Sequence, residues 1–160
     1  DEDIIFGRRD RTTTINTLNS SFIFTENMAL RLRVRHYWSQ VEYNRYSLLT
    51  DNGQLVTTDY DGLNENGISE HNTNFNTFNV DLIYTWVFSP GSELSFVWKN
   101  FILTDDPQLV DDYFTNIENT FASPQTNSFS VKILYFIDYL NLKKKKSASR
   151  GEVQVPSLDG

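Results

Sequence analysis

Apolar and polar side chains alternate along several long segments of the chain. Between Met28 and Trp38 the even positions carry Met, Leu, Leu, Val, His and Trp, whereas three of the odd positions carry arginine. A period of two separates these sets onto opposite faces of a β-strand, while a helix would scatter both around its circumference. The pattern therefore predicts a strand with one apolar face and one charged face.

The same alternation predicts four more strands, the first of them with a weaker pattern. The five predicted strands are residues 12–24, 28–41, 74–88, 93–103 and 127–140. Their connections alternate between short turns at 25–27 and 89–92 and long polar loops at 42–72 and 104–126. Short turns at one end of a sheet and long loops at the other are the layout of bacterial outer-membrane barrels.

The height of the apolar strand face favours a membrane over water. From Phe78 to Phe88 this face covers ten residue steps. At ~3.3 Å per step and a tilt of about 40°, it stands about 25 Å tall, which matches a lipid-facing band. Strands of soluble proteins average about 5–6 residues. The predicted fold is therefore an all-β, antiparallel transmembrane β-barrel, and the alternative is a soluble β-sandwich that binds a ligand.

Five strands cannot close such a barrel, because single-chain bacterial barrels have an even number of strands, about eight or more. We therefore interpret residues 1–142 as the C-terminal five strands of a larger barrel, completed by N-terminal strands outside this chain or by other membrane subunits. Residues 143–160 begin with four lysines and show no alternation. We interpret them as a disordered periplasmic tail.

Each strand has one face expected to contact lipid and one expected to face the barrel lumen. The residues expected to face lipid are Leu32, Val34, Val80, Leu82, Phe96, Trp98, Ile133 and Tyr135. The residues expected to face the lumen are Arg33, Arg35, Asp81, Lys99 and Lys132. His36 stands beside Tyr37 and Trp38 near the outer end of its strand, a position typical of the aromatic girdle at the lipid boundary.

Arg31, Arg33 and Arg35 form a basic ladder on the predicted lumen face. One interpretation is an anion-selective wall, or a contact for a plug or an acidic ligand. The other is a solvated wall whose charges pair with acids on neighbouring strands, such as Asp81. We favour the solvated wall because barrel interiors are routinely polar.

Composition removes several classes of function. The net charge of −7 argues against nucleic-acid binding, which needs a basic face along the phosphates. The chain has no Cys, so thiol catalysis and Cys-ligated zinc are excluded. No motif marks a catalytic or cofactor-binding residue, and His36 and His71 lack the spacing of a metal pair. The two long loops are acidic, which fits a hydrated outer surface and leaves divalent-cation binding as an alternative.

Four segments resemble a known family of Gram-negative outer-membrane proteins. They are residues 6–11 (FGRRDR), 33–39 (RVRHYWS), 88–100 (FSPGSELSFVWKN) and 128–139 (SFSVKILYFIDY). Members of that family are usually described as an N-terminal family-9-like carbohydrate-binding domain followed by a barrel of uncharacterised function. The resemblance covers the last part of the barrel, so no sugar-binding residue is carried over to this chain.

Alternation and resemblance together predict a non-enzymatic barrel of the cell outer membrane that anchors or serves a carbohydrate-binding or transport module. The expected partners are outer-membrane lipid, the missing barrel strands or other subunits, and carbohydrate through an upstream domain. Two alternatives remain at this point. One is a barrel enzyme whose site lies in the missing strands and loops, and the other is the soluble β-sandwich.

Overall fold

Long antiparallel strands dominate the computed structural model, which describes residues 3–139. In chain order the elements are β1 (Ile4–Thr25), β2 (Met28–Leu49), β3 (Leu55–Thr57), β4 (Thr73–Ser89), β5 (Ser92–Asp106), α1 (Tyr113–Ala122) and β6 (Gln125–Leu134). The six strands form one antiparallel sheet in the order β1-β2-β4-β5-β6, with β3 beside β2. The all-β, antiparallel prediction is confirmed.

The sheet is open within residues 3–139. β1 and β6 are its two edges and do not pair with each other. The described residues therefore form a single sheet, neither a closed barrel nor the two facing sheets of a sandwich. No helix in this part of the chain combines the length and the apolar composition needed to cross a membrane.

Cross-strand register separates the side chains as the alternation predicts. One row across β2, β4, β5 and β6 consists of Leu32, Leu82, Trp98 and Phe129. The next row consists of Arg33, Asp81, Lys99 and Ser128. Because paired residues of an antiparallel sheet point the same way, these rows lie on opposite faces. We call them the apolar face and the charged face.

The two ends of the sheet also differ. β1 ends at Thr25 and β2 begins at Met28, while β4 ends at Ser89 and β5 begins at Ser92, so both predicted short turns are confirmed. Gly91 accepts the positive φ of +73° that its turn requires. We call this the turn end, and the opposite end, which carries α1 and β3, the loop end.

The first hairpin extends much further toward the loop end than predicted. β1 and β2 have 22 residues each, and Ile4 pairs with Leu49. The prediction of a loop over residues 42–49 is therefore wrong. Arg9 pairs with Tyr43 but Arg8 pairs with Arg45, which leaves Asn44 as a bulge. A bulge reverses the side-chain alternation of its strand, so a period of two is lost there although the strand continues.

The second predicted loop, residues 104–126, contains the end of β5 and the helix α1. Asp112 caps the helix, since its Oδ2 accepts a hydrogen bond of 2.7 Å from the backbone N–H of Thr115. Ser123 is the C-cap, and Pro124 beyond it cannot continue the ladder of helical hydrogen bonds. The prediction of a long loop is therefore wrong over α1 and the end of β5.

The last strand is shorter than predicted. β6 ends at Leu134, which pairs with Glu93, and β5 begins only one residue earlier, so the pairing of the two strands ends there. Tyr135 therefore lies outside the strand, where its ring stacks on Phe88 with centroids 6.3 Å apart. The predicted strand end at residue 140 and the predicted tail lie outside the described residues.

Candidate functional site

The predicted basic ladder lies on the charged face. Register places Arg31 beside Ser21 and Ile83, while Arg33 stands between Asn19 and Asp81. Arg31, Arg33 and Arg35 are all exposed. The alternation of β2 thus brings the three side chains to one surface, as the sequence predicts.

A groove of about 510 Å³ runs along this face beside the ladder. Its lining holds three cations, Arg31, Arg33 and Lys99, against the single carboxylate of Asp81. Such an excess of positive charge in a concave surface raises the local concentration of anions. The groove can therefore attract small anions or acidic groups.

The expected pairing of the arginines with Asp81 is not what the structure shows. Asp81 instead pairs with Lys99, at 3.9 Å between Oδ1 and Nζ, and both side chains are exposed. An ion pair of this length in solvent contributes about 0–1 kcal/mol. Within residues 3–139 no salt bridge engages Arg31, Arg33 or Arg35, so their charge stays available to a ligand.

A second arrangement occupies the loop end of the apolar face, beneath α1. His36 of β2 and Asn76 of β4 are buried there, and Asn116 of α1 covers them. His36 is only 2% exposed, and Trp38 is buried beside it. The prediction that these two residues form an aromatic girdle at a lipid boundary is therefore wrong, because a helix encloses them.

One chain of hydrogen bonds joins the helix to three strands. Asn16 Nδ2 donates to Tyr113 Oη over 2.9 Å, and Tyr113 Oη lies 3.3 Å from His36 Nδ1. His36 Nε2 lies 3.2 Å from Asn76 Oδ1. A neutral imidazole protonated on Nε2 satisfies both contacts, since it donates to the amide oxygen and accepts from the phenol.

Asparagine side chains complete this chain of hydrogen bonds. We call the group the polar cluster, and its members are His36, Trp38, Asn74, Asn76, Tyr113 and Asn116. Asn76 and Asn116 exchange hydrogen bonds of 3.1 and 2.7 Å, and Asn74 Nδ2 donates to Asn116 Oδ1 over 3.2 Å. Trp38 Nε1 donates to Asn74 Oδ1 over 2.7 Å. No buried side-chain nitrogen or oxygen within residues 3–139 lacks a partner. Fully satisfied networks of this kind hold elements in one arrangement, so the cluster fixes α1 to the sheet.

A cavity of about 110 Å³ lies between α1 and the strands. Amides and hydroxyls line it, among them Asn74, Thr104, Asn119 and Thr120. A polar cavity of this size has room for a few water molecules rather than for a substrate. The polar cluster therefore serves the fold of the loop end. The sequence did carry a signal for it, since asparagines replace apolar residues at positions 74 and 76 of β4.

Aromatic side chains gather on the charged face at the loop end. The rings of Tyr43 and Tyr46 stack 6.0 Å apart, and Tyr60 Oη lies 2.6 Å from His71 Nε2. Gly7 lies under Tyr43, where an added Cβ would come within 2.6 Å of the ring. Alternation along the chain does not indicate this cluster, because the Asn44 bulge brings Tyr43 and Tyr46 to the same side against the period of two.

The acidic residues of the long loops do not converge. Within the part of the chain that the structure describes, no three His, Asp or Glu side chains lie close enough to hold a metal ion. His71 contacts tyrosines, and His36 contacts Asn76 and Tyr113. The geometry therefore offers no support to the cation-binding interpretation of these loops.

Comparison with known proteins identifies a family to which the sequence is similar. The sequence model of a family described as a domain of unknown function (DUF5916) matches residues 1–146. No curated protein and no solved structure matches the chain. The family description states neither a location nor a ligand, so the membrane and carbohydrate associations implied by the resemblance stay predictions.

Proposed function

We propose that this chain, which belongs to the DUF5916 family of domains of unknown function, forms part of a membrane-embedded β-barrel. Its apolar face contacts lipid and its charged face lines the lumen. The barrel is non-enzymatic, lies in the cell outer membrane, and anchors or serves a carbohydrate-binding or transport module. That role follows the resemblance of four segments of the sequence to outer-membrane proteins that carry such a module.

The observation that carries the proposal is the exposure of the apolar face. At the sheet edges Phe22 is 60% exposed and Ile133 is 64% exposed. Phe129 and Val131 extend the same exposed row along β6. Contiguous apolar patches larger than a few hundred Å² are rare on soluble monomers and mark contact with a membrane or another protein.

The length of the strands favours a membrane over another protein as the partner of the apolar face. Strands of 22, 22, 17 and 15 residues are long enough to cross a bilayer, for which about 9–11 tilted residues suffice. In lipid the free backbone groups of β1 and β6 need partners, because nothing in the hydrocarbon can satisfy them. Further strands of the whole protein, or of other subunits, would supply those partners and close the barrel.

The charged face supports the lumen assignment. The groove beside Arg31 and Arg33 lies on this face, and barrel interiors are polar where they hold water. Burying these cations in lipid would be costly, since an arginine at the bilayer midplane costs about 2–4 kcal/mol in a barrel. Reversing the two faces would place the row of arginines against lipid.

A pair of adjacent cysteine substitutions tests the proposal. Leu82→Cys and Asp81→Cys are introduced into the full-length protein, with any cysteine outside this chain replaced by serine, and labelled with a small fluorophore in lipid vesicles. We expect nitroxide-labelled lipid to quench the probe at position 82 several-fold more than the probe at 81. We expect aqueous iodide to quench the probe at 81 instead. Equal quenching of both probes by iodide would contradict the proposal.

A further inference from the structure

Helix α1 has the reverse of the usual distribution of polar and apolar residues. The side chains that it buries against the sheet are polar, and Asn116 and Thr120 are each 1% exposed. Its exposed side chains include Phe114 at 76% and Phe121 at 45%. A helix on a water-soluble protein buries its apolar stripe instead. The contrast indicates that the surroundings of α1 are not water alone.

Two flanks of α1 lie on either side of its outer crest, which carries the exposed Glu118. Phe114, Ile117 and Phe121 follow the spacing i, i+3, i+7, which places them along one flank of the helix. Thr115 and Asn119 are four residues apart and lie on the opposite flank, since each residue turns the helix by roughly 100°. We call these the phenylalanine flank and the polar flank.

The helix lies across the strands, so its flanks face the two ends of the sheet. Tyr113 at its start contacts Asn16 of β1 and His36 of β2, and Asn116 one turn later contacts Asn76 of β4. After α1 the chain enters β6, at the far edge of the sheet. A helix that crosses β2 and β4 in this way presents one flank to the turn end and the other to the loop end.

Two contacts show which flank faces which end. The ring of Phe121 packs edge-on against Phe78, with centroids 4.7 Å apart, and Phe78 is the residue from which the apolar row of β4 runs toward the turn end. On the opposite side Asn119 lines the small polar cavity together with Asp106 and Gln108 of the loop end. The phenylalanine flank is therefore continuous with the apolar face.

We propose that α1 lies at the membrane surface as an interfacial helix. Its phenylalanine flank contacts lipid acyl chains just below the headgroups, and its polar flank faces water. This inference rests on the proposed function, because it takes the apolar face to be in lipid. It adds the position of the boundary, which lies at the level of Phe78 and α1. From Phe78 to Phe88 the apolar band then has the height of about 25 Å found in membrane barrels.

The same placement gives the polar cluster a role. Beyond Phe78 the apolar face changes to Asn76 and Asn74, Trp38 stands across from Asn76, and His36 stands across from Phe78 itself. If these polar side chains were exposed to lipid headgroups, they would lack fixed hydrogen-bond partners. α1 covers them, supplies Asn116 and Tyr113 as partners, and turns an apolar surface toward the bilayer.

Depth-dependent quenching tests this placement in the full-length protein reconstituted in vesicles of phosphatidylethanolamine and phosphatidylglycerol. Phe114→Cys carries the probe on the phenylalanine flank, and Thr115→Cys is the matched control on the polar flank. Both side chains are exposed, so neither substitution disturbs the packing of the sheet. We expect nitroxides near the headgroup to quench the probe at 114 several-fold more than nitroxides near the chain end, and iodide to quench the probe at 115.

A third probe at Leu82→Cys separates this inference from the proposed function. One outcome is that deep nitroxides quench the probe at 82 while iodide quenches the probes at 114 and 115 equally. The proposed barrel is then retained, and the proposal that α1 is an interfacial helix is wrong. If the probe at 114 is protected from both lipid nitroxides and iodide, another protein segment covers this flank, which also overturns the inference. Failure of lipid quenching at 82 overturns both.

Discussion

The two halves of the apolar face reverse the ordinary relation between polarity and burial. Toward the turn end, residues such as Trp86 and Phe88 are apolar and exposed. Toward the loop end, His36, Asn74 and Asn76 are polar and buried under α1. In water the opposite arrangement would be stable, because apolar side chains gain from burial and unpaired polar groups lose by it. A covering helix explains the buried polar half, and the proposed contact with lipid would explain the exposed apolar half.

The largest expected effect comes from placing a charge in the exposed apolar half. Leu82→Arg should lower the free energy of unfolding in lipid vesicles by ~2–4 kcal/mol, the cost of an arginine facing the bilayer midplane. Asp81→Arg, one residue away on the charged face, is the matched control and should cost much less. Denaturant titrations of both variants in vesicles measure the difference. Similar losses at both positions would remove the distinction between the faces.

A smaller effect is expected from the buried polar half. Asn116→Ala removes the partner of Asn74 and Asn76, and an unsatisfied buried amide costs about 1–3 kcal/mol. Hydrogen exchange of the α1 backbone should show its opening free energy lowered by that amount. Asn119→Ala, on the exposed flank of the same helix, should leave it nearly unchanged. The same loss in both variants would mean that the polar cluster does not hold the helix.

The smallest effect concerns the start of α1. The hydrogen bond from the backbone N–H of Thr115 lowers the pKa of Asp112 below its usual value. A lowered pKa in the folded state means that the stabilisation is complete above about pH 4. It is lost as the pH falls through the lowered pKa, when protonation weakens the cap. The start of the helix should therefore loosen in acid.

Trp38 reports this loosening, since its ring lies 5.9 Å from that of Tyr113. With Trp86 and Trp98 replaced by Phe, its emission should shift to longer wavelength in acid. Asp112→Asn keeps a capping side chain without a titratable proton, so this part of the shift should disappear. An identical acid shift in the aspartate and asparagine proteins would assign it to other carboxylates.

Much of the sheet could be predicted because strand faces are a local property. The alternation of Leu32, Arg33 and Val34 already separates the two faces, and the structure places the basic ladder accordingly. The turn at Pro90 and Gly91 follows from backbone preferences of those two residues. Helix α1 was missed although Asp112 and Pro124 mark its ends, because its buried side chains are polar and its short apolar row lies in a long acidic segment that favours a loop.

Other errors come from pairing over long sequence distances. The extension of β2 beyond Val41 depends on pairing with the start of β1, and the Asn44 bulge hides it from any test of periodicity. The end of β6 at Leu134 depends on where β5 begins. Neither limit can be found from the residues of the strand itself, since a strand exists only where a partner completes its hydrogen bonds.

The sequence by itself determined that the chain forms long antiparallel strands with one apolar and one charged face, because the direction of each side chain alternates with the local backbone. Only the tertiary structure decided what covers each part of those faces. The contacts of His36 with Asn76 and Tyr113 join residues 40 and 77 positions apart. These contacts depend on the register of the strands and on the path of the chain across the sheet. They bury His36 under a helix, although the local pattern predicts that this histidine lies at the lipid boundary.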